Sequence, residues 1–245
     1  MTPGPAEIVE RIWARDASLW TGADEAQWLG WLDEPARMRE RVHELLEFAA
    51  SVDYDRVVLL GMGGSSLAPE VMRRTFEVAT IDVLDTTHPV AIRRLDAQLD
   101  HDRTLFVVSS KSGGTLETRS HFDYFWERTN GRGDRFVAVT DPGSALESLA
   151  QERGVRAFAG EPTIGGRYSA LSPFGIVPAA LMGLDAERLL LRAVEMADAC
   201  RGVEGNEGLE LGLQLGERWR EGRDKVCINP DVGGFGLWAE QLVAE

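Results

Sequence analysis

The stretch VVLLGMGGSSLAPEVMRRTFEV, residues 57–78, decides the fold. It opens as an unbroken apolar run, turns on glycines at 61, 63 and 64, and continues as a helical pattern that Pro69 helps to start. A run with no polar alternation reads as a strand covered on both faces. A strand followed at once by a helix is the first half of a crossover unit.

The alternation repeats downstream. Apolar runs at 57–62 (VVLLGM), 81–85 (IDVLD), 104–109 (TLFVVS), 135–140 (RFVAVT) and 155–159 (VRAFA) enclose helical patterns at 68–78, 89–99, 115–127 and 143–152. Doubly apolar strands spaced by single helices predict an α/β fold with a parallel sheet and right-handed crossovers. In such sheets ligands bind at the carboxyl ends of the strands, near the point where the strand order reverses. The loops after the strands are therefore the ones to read for function.

The flanks have a different texture. The first fifty residues read as helical, with apolar positions at helical spacing from 35 to 51 and breaks at Trp20-Thr21-Gly22 and Asp33-Glu34-Pro35. Trp13, Trp20, Trp28 and Trp31 fall in this region and read as core or interface residues, the alternative being a ligand-stacking box. Past residue 160, helical patterns cover 172–184, 186–199 and 209–220. DKVCINPDVGG (224–234) then suggests one further strand, and 236–245 the start of a helix, as if a second α/β unit were opening.

Composition narrows the partners. The net charge of −14 argues against nucleic acid or an anionic membrane, because both select basic surfaces. No apolar run approaches the roughly 20 residues that span a bilayer, and the N-terminus has no basic-then-apolar signal pattern. Cys200 and Cys227 suggest neither a disulfide framework nor a zinc site. A cytoplasmic protein without a metal is the expectation.

Three loops carry chemistry. In Gly61-Met62-Gly63-Gly64-Ser65-Ser66, glycines let backbone N–H groups approach a ligand ahead of a helix N-terminus, which favours negative charge. Asp85 ends the next strand about twenty residues on, where a dinucleotide fold places its ribose ligand, although the third glycine of that fingerprint falls at Ser66. A tight strand-to-helix turn with capping serines also explains this loop. SSKSGGTLET (109–118) brings hydroxyls at Ser110, Ser112 and Thr115, backbone N–H groups at Gly113 and Gly114, and Lys111, one of two lysines in a chain of arginines. Three acceptor oxygens of a phosphate monoester would use that set, each charge-assisted bond contributing about 1.5–3 kcal/mol. The plainer reading is a helix cap by Thr115 or a neighbour. Finally, Gly165-Gly166-Arg167-Tyr168-Ser169 offers a guanidinium suited to an anion that develops during reaction. Thr140-Asp141-Pro142-Gly143-Ser144 reads as helix initiation.

GMGGSSLAPE (61–70), SSKSGGTLET (109–118), TDPGSAL (140–146) and GGRYSALSPFGIVPAAL (165–181) together resemble the phosphoglucose isomerase family of sugar isomerase (SIS) domains. SLWTGADEAQWLGWLDEP and GLWAEQLVAE look most like the isomerase portion of bacterial transaldolase–phosphoglucose isomerase fusions. The resemblance implies a three-layer αβα sandwich on a five-stranded parallel sheet, preceded by N-terminal helices. It divides the chain into an N-terminal helical segment (1–50), a first SIS domain (51–185), and a helical connection with the incomplete start of a second (186–245).

It also implies glucose 6-phosphate to fructose 6-phosphate isomerisation through a cis-enediol, with no cofactor and with a homodimer in full-length form. Phosphate binding transfers to Ser110, Lys111, Ser112, Gly114 and Thr115, sugar binding to Gly63, Gly64 and Ser65, and enediolate stabilisation to Arg167. The family's glutamate base and ring-opening histidine belong to the second SIS domain, so the resemblance puts them past Glu245 and leaves Glu240, Glu245 and the four histidines in structural roles. On that implication the chain binds a sugar phosphate and isomerises it poorly alone. A phosphosugar-binding module without turnover and an NAD-dependent oxidoreductase are the alternatives.

Overall fold

A computed structural model describes residues 3–229 and 232–244. The five apolar runs are five strands: β1 (Arg56–Gly61), β2 (Ile81–Leu84), β3 (Thr104–Ser109), β4 (Phe136–Thr140) and β5 (Arg156–Ala159). All pairings are parallel and the order is β2-β1-β3-β4-β5. Ahead of the sheet lie α1 (Pro5–Trp13), short 3-10 turns at Ala17–Leu19, Glu25–Trp28 and Gly30–Leu32, and α2 (Glu34–Ser51). Crossovers are made by α3 (Leu67–Thr75), α4 (Pro89–Asp96), α5 (Leu116–Arg128) and α6 (Ala145–Glu152), and the chain continues through α7 (Pro173–Leu181), α8 (Ala186–Ala199), α9 (Glu207–Arg220) and α10 (Phe235–Ala244).

Alternate strand residues face opposite helical layers, as a pleated strand requires. On one face Leu105 and Val107 of β3 join Met38, Val42 and Leu45 of α2 and Ile176 and Val177 of α7. On the other, Phe106 and Val108 join Phe122 and Phe125 of α5 and Leu146 of α6. The arrangement is a three-layer αβα sandwich. Full burial of each such side chain contributes about 1.5–3 kcal/mol, so the apolar runs could not be strands of an exposed sheet. α7 is buried along its whole length and apolar on every side. Its Gly175 is required, because a Cβ there would lie 2.9 Å from the Ala170 carbonyl carbon.

The strand expected within 224–234 does not form among the described residues. Residues 224–229 are irregular, Val232–Gly234 is a 3-10 turn into α10, and Pro230 and Asp231 lie outside the described residues. A strand exists only with a ladder partner, and neither sheet edge, β2 or β5, pairs with this segment. α9 likewise buries none of its residues and leaves Leu211, Leu215 and Trp219 exposed. No helix among the described residues is long and apolar enough to cross a membrane.

Candidate functional site

The strand order reverses between β1 and β3. From β1 the chain goes out to the edge strand β2, then returns to β3 on β1's other side. Gly61 and Ser109 are register partners at the carboxyl ends of these two strands, so loops 61–66 and 109–115 leave the sheet side by side. The Ser109 hydroxyl donates to the Ser65 carbonyl at 3.2 Å and ties them together.

The third loop closes on the first. Gly64 packs directly on the Gly166–Arg167 peptide: a Cβ would lie 2.5 Å from the Gly166 carbonyl carbon and 3.1 Å from the Arg167 nitrogen. Ser169 donates to the Gly166 carbonyl at 2.6 Å, which holds the 3-10 turn Gly166–Leu171. Gly63 takes the left-handed conformation (φ 55°) that a glycine tolerates best. The chain's own backbone thus covers Gly64, where a dinucleotide fold would seat its pyrophosphate. Asp85 lies exposed at the sheet edge. Both features weigh against the oxidoreductase alternative.

In loop 109–115 the expected helix cap is not what the side chains make. Thr115 occupies the N-cap position of α5, but no side chain caps the helix. The Thr115 hydroxyl instead meets that of Ser110 at 3.1 Å, and the Ser112 hydroxyl accepts from the Gly114 N–H at 3.2 Å. The first turn of α5 keeps its uncapped amides and its share of positive helix dipole. Gly113 (φ 66°) sits where a Cβ would be 2.5 Å from the Leu146 nitrogen, which fixes the tight turn against α6.

Lys111 is engaged elsewhere. Its ammonium pairs with the half-buried Asp141 carboxylate and lies 3.3 Å from the Pro162 carbonyl. Its own carbonyl accepts from the Asp141 N–H at 3.1 Å and the Thr140 hydroxyl at 3.3 Å. The side chain therefore braces the loop against the end of β4, while still lining the cavity described next. The 140–144 segment initiates α6 as expected: Ser144 accepts from the Glu147 N–H at 3.0 Å, and Glu147 accepts from the Gly143 N–H at 2.6 Å.

Arg167 lines an open cavity of about 700 Å³ together with Lys111, Gln241, Tyr168, Trp28 and Trp20. Its guanidinium carbon lies 5.1 Å from the Tyr168 ring centre, and Tyr168 in turn stacks on Trp31 at 5.6 Å. Arg167 Nε is buried without a hydrogen-bond partner, and Arg167 makes no ion pair among the described residues. With no carboxylate partner among the described residues, the permanently charged guanidinium can meet an anion that enters the cavity.

Two features escaped the sequence reading. Gln241 of α10 reaches back to the first loop, its Nε2 lying 3.0 Å from where a Gly63 Cβ would be, and its Oε1 is buried and unpartnered. The early tryptophans are not core residues: Trp13 and Trp31 are half-buried, and Trp20 and Trp28 are exposed. The segment carrying Trp20 and Trp28 is held by polar bonds together with the buried Leu29 and Leu32. Trp28 Nε1 donates to Asp24 at 3.1 Å, and the Glu25 carboxylate accepts from the Thr21 and Ala23 N–H groups at 2.8 and 3.0 Å. Leu29 bridges Ile164, and the Gly30 N–H donates to the Thr163 carbonyl at 3.0 Å, which fixes the segment beside the arginine loop.

The four histidines have structural partners. His88 caps α4, His101 meets Asp96 at 2.7 Å, and His43 lies 3.6 Å from Glu187. His121 is buried with Nε2 3.1 Å from the Thr86 carbonyl, and burial pushes its pKa below the ordinary value. Glu240 is exposed, and Glu245 lies outside the described residues. Glu25 lines the cavity, but its bond from the Thr21 hydroxyl holds its carboxyl below the ordinary range, the wrong direction for a general base. Among the described residues no cluster of His, Cys, Asp and Glu is arranged to hold a metal ion.

Comparison with known proteins places the chain. The phosphoglucose isomerase family model matches residues 44–208. Glucose-6-phosphate isomerase of Thermus thermophilus is 33% identical over 195 residues, covering 74% of this chain and 45% of the relative. That of Thermosynechococcus vestitus is 32% identical, covering the whole of this chain and 54% of the relative. Among solved structures, a hypothetical protein of Thermus thermophilus superposes with a TM-score of 0.75 at 32% identity, over 87% of this chain and 52% of that one. A glucose-6-phosphate isomerase of Chlamydia trachomatis gives 0.61 at 25% identity, over 87% and 42%. The chain spans about half the length of the curated relatives it matches.

Proposed function

The chain belongs to the phosphoglucose isomerase family, and on that premise we propose that its crevice binds a hexose 6-phosphate and serves the interconversion of glucose 6-phosphate and fructose 6-phosphate through a cis-enediol. The observation that carries this is the pairing of an uncapped α5 N-terminus with a guanidinium that has no carboxylate partner among the described residues. The phosphate is held by the Ser110, Ser112 and Thr115 hydroxyls, the Gly114 N–H and the first amides of α5. Lys111 braces that loop through Asp141 and adds positive charge nearby. Gly63, Gly64 and Ser65 meet the sugar from the adjacent strand end.

Isomerisation removes a proton from the carbon beside the carbonyl and places negative charge on the sugar oxygens. Arg167 stabilises that charge because a guanidinium is permanently cationic and this one has no carboxylate partner among the described residues. Gln241 offers its amide to a sugar hydroxyl from beside Gly63. The proton transfer is assigned to none of these residues; Glu25, the carboxylate that lines the cavity, has its carboxyl held below the ordinary range by the bond from the Thr21 hydroxyl.

A second reading is a phosphosugar-binding module without turnover, since the loops that meet at the crevice supply donors and a guanidinium but no assigned base. Two measurements separate the readings. Thermal shift with fructose 6-phosphate, glucose 6-phosphate and NAD should show stabilisation by the sugar phosphates alone; a shift with NAD alone would overturn the proposal. A coupled assay on the 245-residue chain then decides between turnover and binding only.

A further inference from the structure

Trp20 and Trp28 stand 45% and 41% exposed beside Arg167. Burial does not hold them there; the Asp24 and Glu25 bonds and the Leu29–Ile164 bridge do. Their segment is therefore a fixed wall, tied to the same stretch of chain that delivers Gly165-Gly166-Arg167. Elsewhere in the cavity lining stand the Arg167 guanidinium, the Gln241 amide, Tyr168 and the Glu25 carboxylate. The cavity therefore offers flat aromatic faces, hydrogen-bonding groups on Gln241 and Tyr168, one carboxylate at Glu25, and the cations Arg167 and Lys111.

That combination selects among ligands. An apolar molecule would leave the polar side chains of the lining unused, and a bare anion would make no use of the indoles. A chain of hydroxylated carbons uses everything. Its C–H surface lies on an aromatic face, while its hydroxyls bond to the polar side chains of the lining, Gln241, Glu25 and Arg167 among them. We infer that Trp28, assisted by Trp20, is the platform for the carbon chain of a phosphorylated polyol or sugar, and so reads its length. The phosphate stays at loop 109–115, whose Lys111 lines the same cavity. This inference rests on the phosphosugar reading above and adds the group that discriminates a six-carbon from a shorter phosphate ester.

The test uses the full chain and three probes: inorganic phosphate, glycerol 3-phosphate and a hexitol 6-phosphate, titrated calorimetrically. Affinity in the native protein should rise along that series. Trp28→Ala should lower hexitol 6-phosphate affinity about tenfold, as expected for losing one buried indole face, and leave inorganic phosphate within about twofold. Trp28→Phe, which keeps an aromatic face, should retain most of the affinity. Protein that binds the hexitol ester no better than inorganic phosphate overturns the inference. So does a Trp28→Ala variant with an unchanged ratio, or one that loses all three probes equally. An unchanged ratio with an altered sedimentation coefficient assigns the wall to a protein partner instead. Native protein that binds none of the probes overturns the phosphosugar reading itself, and this inference with it.

Discussion

Replacing Gly64 by alanine is the sharpest test of how the crevice is assembled. The added Cβ would lie 2.5 Å from the Gly166 carbonyl carbon, and both partners are backbone rather than a side chain that can rotate away. Carbons pack at about 3.5–4.0 Å, so the first and third loops must separate by about 1 Å. The φ of Gly64 is not in the left-handed region, so strain at residue 64 itself does not enter. Overpacking of this kind costs about 1–3 kcal/mol, which in a protein of this size lowers Tm by roughly 2–12 °C. The same displacement moves Arg167 relative to the α5 N-terminus. A 1 Å misplacement can cost about a hundredfold in turnover, so hexose 6-phosphate turnover should fall far more than the loss of folded protein explains. Gly166→Ala is the matched control, because nothing lies within 4 Å of its added Cβ. Thermal unfolding followed by ligand titration of both variants decides the matter. A Gly64→Ala protein with native Tm and affinity would refute the packing argument.

The remaining predictions concern the loops and one buried histidine. Ser112→Ala with Thr115→Ala should weaken hexose phosphate binding at least tenfold, given about 1.5–3 kcal/mol per charge-assisted bond, with little change in Tm because neither hydroxyl caps α5; equal affinity would return the loop to a purely structural turn. Arg167→Ala should leave stability near native, since the guanidinium has no ion pair among the described residues to lose, and should reduce any turnover more than substrate affinity. His121 is neutral when folded, its pKa depressed by burial. The unfolded chain therefore takes up the proton first, and stability present near pH 7 should fall as pH drops below about 6.5 toward the folded value. Urea unfolding between pH 7.5 and 5 should show a shallower loss in His121→Asn than in the native chain, and parallel slopes would contradict that assignment.

The sheet was legible because its strands are apolar on both faces, a pattern few alternatives share. The window 104–109 coincides with β3, and the others differ from their strands by a residue at either end. Loops 61–66, 109–115 and 165–169 were also legible, since glycines and hydroxyls stand where strands end. What stayed hidden depends on contacts between distant segments. Nothing local in SLWTGADEAQWLGWL says that Leu29 will bridge Ile164 and set Trp20 and Trp28 beside Arg167. Nothing local in GLWAEQLVAE aims Gln241 at Gly63. Lys111 was singled out correctly as unusual, but its side chain bonds to Asp141, a partner visible only when β3 and β4 lie side by side. The segment 224–229 shows the opposite failure: a short apolar run, Val226-Cys227-Ile228, is present, but no sheet edge receives it.

The return of the chain from β2 to β3 has a thermodynamic consequence. Loops 61–66, 109–115 and 165–169 are far apart along the backbone and come together only when the whole sheet has closed. A ligand gripping all three is a reversible cross-link between segments that local fraying cannot separate. Its binding energy then opposes complete unfolding, at RT ln(1 + [L]/Kd), and hydrogen exchange in the central strands β1 and β3 should slow in proportion while the tips of α1 and α9 exchange as before.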